Sequence, residues 1–247
     1  MRTLLLATAL LISTAVDAGS FARHHPDQYF FKRGMDAYLD GKPHAAATDF
    51  RRAARYADKT SQLALAFLFR DGKVTGTPDH AQAYAWADLA AERGYPDFLV
   101  VREKIWAALD EATRARALAV GETLYAEYGD AIAKPRLERE LRRGLASKTG
   151  SRSGSNTARP SVTDLSDAAA RAAFVATFLS EVTRPGVQPI NAFVHAVASA
   201  DDAGVNVFAG DYYADENWRP AAYWRARDAD WIEGIVTVKP LRSASGE

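Results

Sequence analysis

From Asp27 to Leu39 apolar and aromatic positions recur at three- and four-residue steps, placing Phe30, Phe31, Met35, Tyr38 and Leu39 along an amphipathic helix. Gly41 and Pro43 interrupt that spacing. Ala45, Ala46, Phe50, Ala53, Ala54 and Ala57 then mark a second helix with a small-residue face, so the pair is a predicted helical hairpin. Ser61 to Phe69 opens the next hairpin, Asp71-Gly72 through Pro78 turns it, and Ala81 to Arg93 closes it with Gly94 as C-cap. Phe98 to Leu109 and Glu111 to Tyr128 read as a third, degenerate hairpin with Asp110 as an N-cap. Its second helix carries Arg114, Arg116, Glu122 and Glu127, as suits a terminal unit with one solvated face. A further helix is predicted from Pro135, with Leu137, Leu141 and Leu145 at four-residue steps and Glu138 ahead of Arg142 at i,i+4; it should end near Gly144 to Ser147.

Downstream, KTGSRSGSNTARP (148–160) holds no apolar side chain larger than Ala apart from Pro160, and a flexible linker is expected over 148–162. Ser161 or Asp164 then caps a helix carrying Leu165, Ala169, Ala172, Ala173, Val175, Ala176 and Leu179, which Arg184-Pro185-Gly186 stops. A shorter helix is expected over Ile190 to Ala200, followed by a turn at 201–204. Val205 to Phe208 and Ile235 to Val238 have strand composition and suit a small two-stranded β ribbon. The predicted fold class is mainly α: a short α-solenoid of helical hairpins over 23–147 and a small C-terminal helical and aromatic module over 163–247.

Asp49-Phe50-Arg51-Arg52-Ala53-Ala54 aligns with Trp86-Ala87-Asp88-Leu89-Ala90-Ala91 at an offset of 37 residues, a period suited to a two-helix solenoid unit. Leu63-Ala64-x-x-Phe67, Asp71-Gly72, Ala83-x-x-Trp86 and Ala90-Ala91-x-x-Gly94 resemble the Sel-one-like repeat, a relative of the tetratricopeptide repeat. The upstream unit departs from that pattern at Asp49, where the family prefers Trp, and at Ala57, where it prefers Gly. Over roughly 28–130 the resemblance implies stacked hairpins and adaptor or assembly roles. Independently, paired Ala residues allow close helix approach and Trp86 is of a size to fill the gap between hairpins, so Trp86 is expected in the core.

Arg2 followed by an apolar run from Leu4 to Val16 has the form of a secretory signal peptide over 1–22, with cleavage after Ala18 or after Ala22. This predicts a periplasmic protein of a Gram-negative cell or a secreted one, with no transmembrane segment in the mature chain. There is no Cys, so packing rather than disulfides must hold an exported chain together. Lys and Arg number 31, as do Asp and Glu, and this balance gives no bias toward nucleic acid. Locally the charge is uneven: 134–159 holds eight basic and two acidic residues, whereas 160–247 holds seven basic and twelve acidic. The two parts are expected to attract each other; an anionic envelope polymer is the alternative partner for Arg139, Arg142 and Arg143.

Tyr212, Tyr213, Trp218, Tyr223, Trp224 and Trp231 cluster among Asp211, Asp215, Glu216, Asp228 and Asp230. Rings with carboxylates can stack on a sugar face and bind its hydroxyls, while the same rings can fill the joint between tail and repeats. No His-Glu-x-x-His motif, phosphate-cradling Gly loop or Cys nucleophile is present. Cleavage after Ala22 would leave Arg23-His24-His25, and His25 in third position behind a free amine can complete a square-planar Cu(II) or Ni(II) site; otherwise no metal and no cofactor is expected. Together these features predict a non-enzymatic protein-binding scaffold of the cell envelope, its partners unnamed envelope proteins. The alternative is a protein that binds or cleaves peptidoglycan or another glycan through the aromatic and acidic tail.

Overall fold

The computed structural model describes residues 23–148, 168–183 and 214–232. The fold is mainly α. Among the described residues its helices are α1 (Pro26–Leu39), α2 (Pro43–Ala54), α3 (Lys59–Arg70), α4 (His80–Ala90, extended by a 3-10 turn over Ala91–Arg93), α5 (Pro96–Ala107), α6 (Glu111–Tyr128), α7 (Asp130–Lys148), α8 (Ala168–Thr183), the single-turn α9 (Asp215–Trp218) and α10 (Pro220–Ile232). The expected signal peptide, the linker beyond Lys148, the helix over Ile190–Ala200, both strand segments, Tyr212 and Tyr213 lie outside the described residues.

Two local devices start most of these helices. Pro26, Pro43 and Pro96 open α1, α2 and α5, where the missing N–H is one the first turn leaves unbonded anyway. Asp58, Asp79 and Asp110 cap α3, α4 and α6, accepting hydrogen bonds from the amides of Ser61 (2.7 Å), Gln82 (3.1 Å) and Thr113 (2.7 Å).

Helix α1 packs along α2, and α3 along α4. Gly34 lets the first pair close: a Cβ there would lie 2.6 Å from the Phe50 ring, which is fully buried. Helix α3 is buried on every side from Lys59 to Phe69, the signature of a central helix rather than a surface one. Trp86 is 2% exposed in the core, against Tyr128 at a ring separation of 4.9 Å. The core also receives the tail: Phe174 of α8 lies 6.5 Å from Phe31 and 6.4 Å from Phe50, in one cluster with the hairpin residues.

Helices α4 and α6 run side by side in one register. Arg116 reaches Asp79, Tyr125 reaches Asp88 and Arg93 reaches Asp130, each across 37 residues. The expected third hairpin is looser than the first two, because α5 lies against α4 and α8 while α6 lies along α4.

Two expectations are corrected. Pro135 does not start α7; it is the sixth residue of a helix that begins at Asp130. Gly129 is extended, and its carbonyl accepts from the amides of Ile132 and Ala133, so the first turn forms before the proline, which forfeits only one later bond. Ala57 does not extend α2, which ends at Ala54. Its φ of 63° is left-handed and matches the 74° of Gly94, its counterpart 37 residues on. A Cβ in that conformation costs about 1–2 kcal/mol. Ala57→Gly should therefore raise the midpoint of urea unfolding by the equivalent of about 1 kcal/mol, less the added chain entropy of the unfolded state, and Gly94→Ala should lower it comparably.

Candidate functional site

The N-termini of α1 and α3, the turn at Gly94 and the tail helices α8 and α10 converge on a polar joint. Asp58 and Lys59 stand there because they are the N-cap and first residue of α3, and Asp130 because it opens α7 beside the end of α4. The Lys59 ammonium, its side chain 2% exposed, donates to the Leu89 carbonyl at 3.0 Å and Gln62 at 3.1 Å, and pairs with Glu92 at 2.7 Å and Asp130 at 3.1 Å. Arg93 forks onto Asp130, Nε to Oδ2 at 2.6 Å and Nη2 to Oδ1 at 3.0 Å. Its Nη2 also donates to the Ala57 carbonyl at 3.0 Å, and its Nη1 meets Asp228 of α10 at 3.3 Å.

These neighbours set the protonation of the joint. Burial pushes the Lys59 ammonium below the ordinary lysine range, against the pull of Asp130. Burial also disfavours charge on Asp130, but the hydrogen bonds and field of Arg93, with Lys59 and Lys134, outweigh it and hold the carboxyl well below the carboxylate range. Asp27 is the opposite case, since burial dominates and pushes its carboxyl up. Its Oδ2 accepts from the Tyr223 hydroxyl, which in turn accepts from Gln28 Nε2 at 3.0 Å. Arg171 of α8 bonds Asp58 and covers the Phe31 ring at 3.8 Å.

The fold thus brings Asp27 and Asp58, two carboxyl groups, to the wall of one hollow, together with Lys59, Arg93, Arg171 and Trp224. Paired carboxyl groups are what glycoside hydrolysis uses. The hollow measures only about 30 Å³, room for about one or two waters and roughly a tenth of the smallest ordinary ligand pocket. As arranged, the joint clasps the tail onto the hairpins.

The expected binding residues divide. Trp218 is 1% exposed, packed on His25 at 4.8 Å and against the backbone of Gly144. Tyr223 is fully buried between Asp27, Leu137 and Leu141. Trp224 is half-buried: its indole N–H donates to Glu138 at 3.1 Å, and Arg93 and Lys134 lie 4.9 and 5.0 Å from its ring. Trp231 packs on Tyr95 and Phe98. His25 is fully buried, so a square-planar metal site would have to draw its imidazole out from beneath Trp218. Arg139, Arg142 and Arg143 lie exposed on α7; Arg142 pairs with Glu138 and Arg143 with Glu140 on the same helix. In the joint the tail meets the body through two ion pairs of opposite sense, Asp228 with Arg93 and Arg171 with Asp58, and neither body residue belongs to the basic segment from which an attraction was anticipated.

The sequence reading missed Lys59, Arg93 and Asp130. Their one signal is placement, since Arg93 and Asp130 each sit beside a glycine at the end of a helical unit, 37 residues apart. No protein-family model, curated protein or solved structure matches this chain.

Proposed function

We propose that the chain is an exported, non-enzymatic protein-binding scaffold of the cell envelope, built from stacked helical hairpins. The observation that carries this reading is the constant 37-residue register between α4 with its 3-10 turn and the segment from α6 to Asp130, equal to the offset at which the first unit aligns with the second. Stacking of that kind gives each unit its core through its neighbours and leaves long side faces for a partner. The tightness of the joint favours a structural over a catalytic use of its charges.

Photo-crosslinking side chains placed singly at Val100, Leu118 and Arg139, all exposed on different helices, test this in cells of the source organism. A protein adduct of defined mass from one face, absent from the others, is the expected result. Adducts made of glycan fragments, or no face-specific adduct, would overturn the reading.

A further inference from the structure

The end of α3, the start of α4 and the end of α5 frame a hollow of about 280 Å³. Its floor is aliphatic: Ile105 and Leu109 are 7% and 8% exposed, with Ala108 beside them. Its mouth is lined by Arg70, His80 and Lys104 and by no acidic side chain among the described residues. The carboxylates nearest in sequence are already engaged: Asp71 by Arg70, Asp79 by Arg116, and Glu103 by Arg102. His80 and Lys104 make no hydrogen bond or ion pair with the described residues. Lys104 and His80 therefore stand without a carboxylate partner where an apolar floor opens, beside an Arg70 already paired with Asp71.

We propose that this hollow binds a small amphiphilic carboxylate, its apolar tail on Ile105, Ala108 and Leu109 and its anionic head at Lys104, His80 and Arg70. The size decides the class. At about 30 Å³ for each water-sized group the hollow takes roughly nine such groups, just under the usual range of small-molecule pockets, which matches a chain of eight to ten carbons or an aromatic acid. An anionic head is favoured because Lys104 and His80 are exposed at the mouth with no carboxylate paired to them, and a charge-assisted hydrogen bond to an ammonium is stronger than one from an uncharged head. This site is independent of the scaffold reading, since it uses the ends of α3 and α5 and needs no protein partner.

The test titrates the full chain with decanoate, follows the methyl NMR signals of Ile105 and Leu109, and repeats the titration with decanol and with phosphatidylglycerol vesicles. Saturable shifts with decanoate are expected, with decanol binding more weakly. Lys104→Gln should weaken decanoate about tenfold, the usual worth of a hydrogen bond to a charged group, and leave decanol unchanged. Ala108→Trp, at an exposed position that tolerates a larger side chain, should block both. Unchanged urea midpoints would show that these variants fold. Absence of saturation at millimolar decanoate, equal response to decanol and decanoate, or binding to vesicles alone would overturn the proposal.

Discussion

Asp130→Ala should cost about 3–5 kcal/mol, a large fraction of the roughly 5–15 kcal/mol that holds a domain folded. The change removes the carboxylate shared by Lys59 and Arg93, whose side chains are only 2% and 9% exposed. Arg93 keeps the 3.3 Å contact with Asp228 and Lys59 keeps Glu92, so the loss should stop short of complete unfolding. What dominates is not the pair's attraction but two cations left in low dielectric with too few counter-charges. Lys59→Met added to Asp130→Ala should therefore recover part of the loss, since an apolar side chain of similar length carries no such penalty. Urea midpoints of the two single variants and the double variant decide it; strict additivity would refute the argument. The same carboxyl gives the chain an acid limb. Its folded pKa lies below the unfolded value near 4, so its contribution is complete above that pH and is lost as pH falls. Asp130→Ala should flatten the fall in stability between about pH 4 and pH 2.

Trp218→Ala should cost about 3–5 kcal/mol and release the tail, because it empties a buried site between His25, at the entry to α1, and Gly144 of α7. Gly144→Val attacks the same contact from the other side: a Cβ at 144 would lie 2.2 Å from the Trp218 ring. The two variants should fail alike, both exposing Tyr223, whose hydroxyl is buried against Asp27 and Gln28. Near-ultraviolet circular dichroism and protease sensitivity of α10 read this directly. Trp224→Ala should cost less, about 1–2 kcal/mol, because that ring is half-buried and loses mainly its contacts with Arg93, Lys134 and Glu138. If Trp218→Ala left stability untouched, the ring would not be part of the joint.

The helices of the body were legible because each carries its own instructions. Apolar spacing, Pro at the first position, Asp caps and Gly94 act within a few residues, so α1 to α6 end close to where periodicity puts them. The misjudged points are those where a neighbour overrides the local rule. Pro135 reads as a start, yet Gly129 and Asp130 open the helix earlier, with Asp130 held by Arg93 from another unit. Ala57 reads as helix, yet its left-handed backbone brings its carbonyl to the Arg93 guanidinium. The aromatic tail was visible as a cluster, and the sequence offered both a packed joint and an exposed platform for it. Only distance settles which rings are spent: Trp218 meets His25, and Tyr223 meets Asp27, across nearly two hundred residues.

Helix formation and capping are local, so the mainly helical fold and the first two hairpins could be read from spacing, prolines and caps alone. The tertiary structure alone decided which charges are buried together and which aromatics are enclosed, because burial and pairing depend on side chains that meet only after the helices have packed.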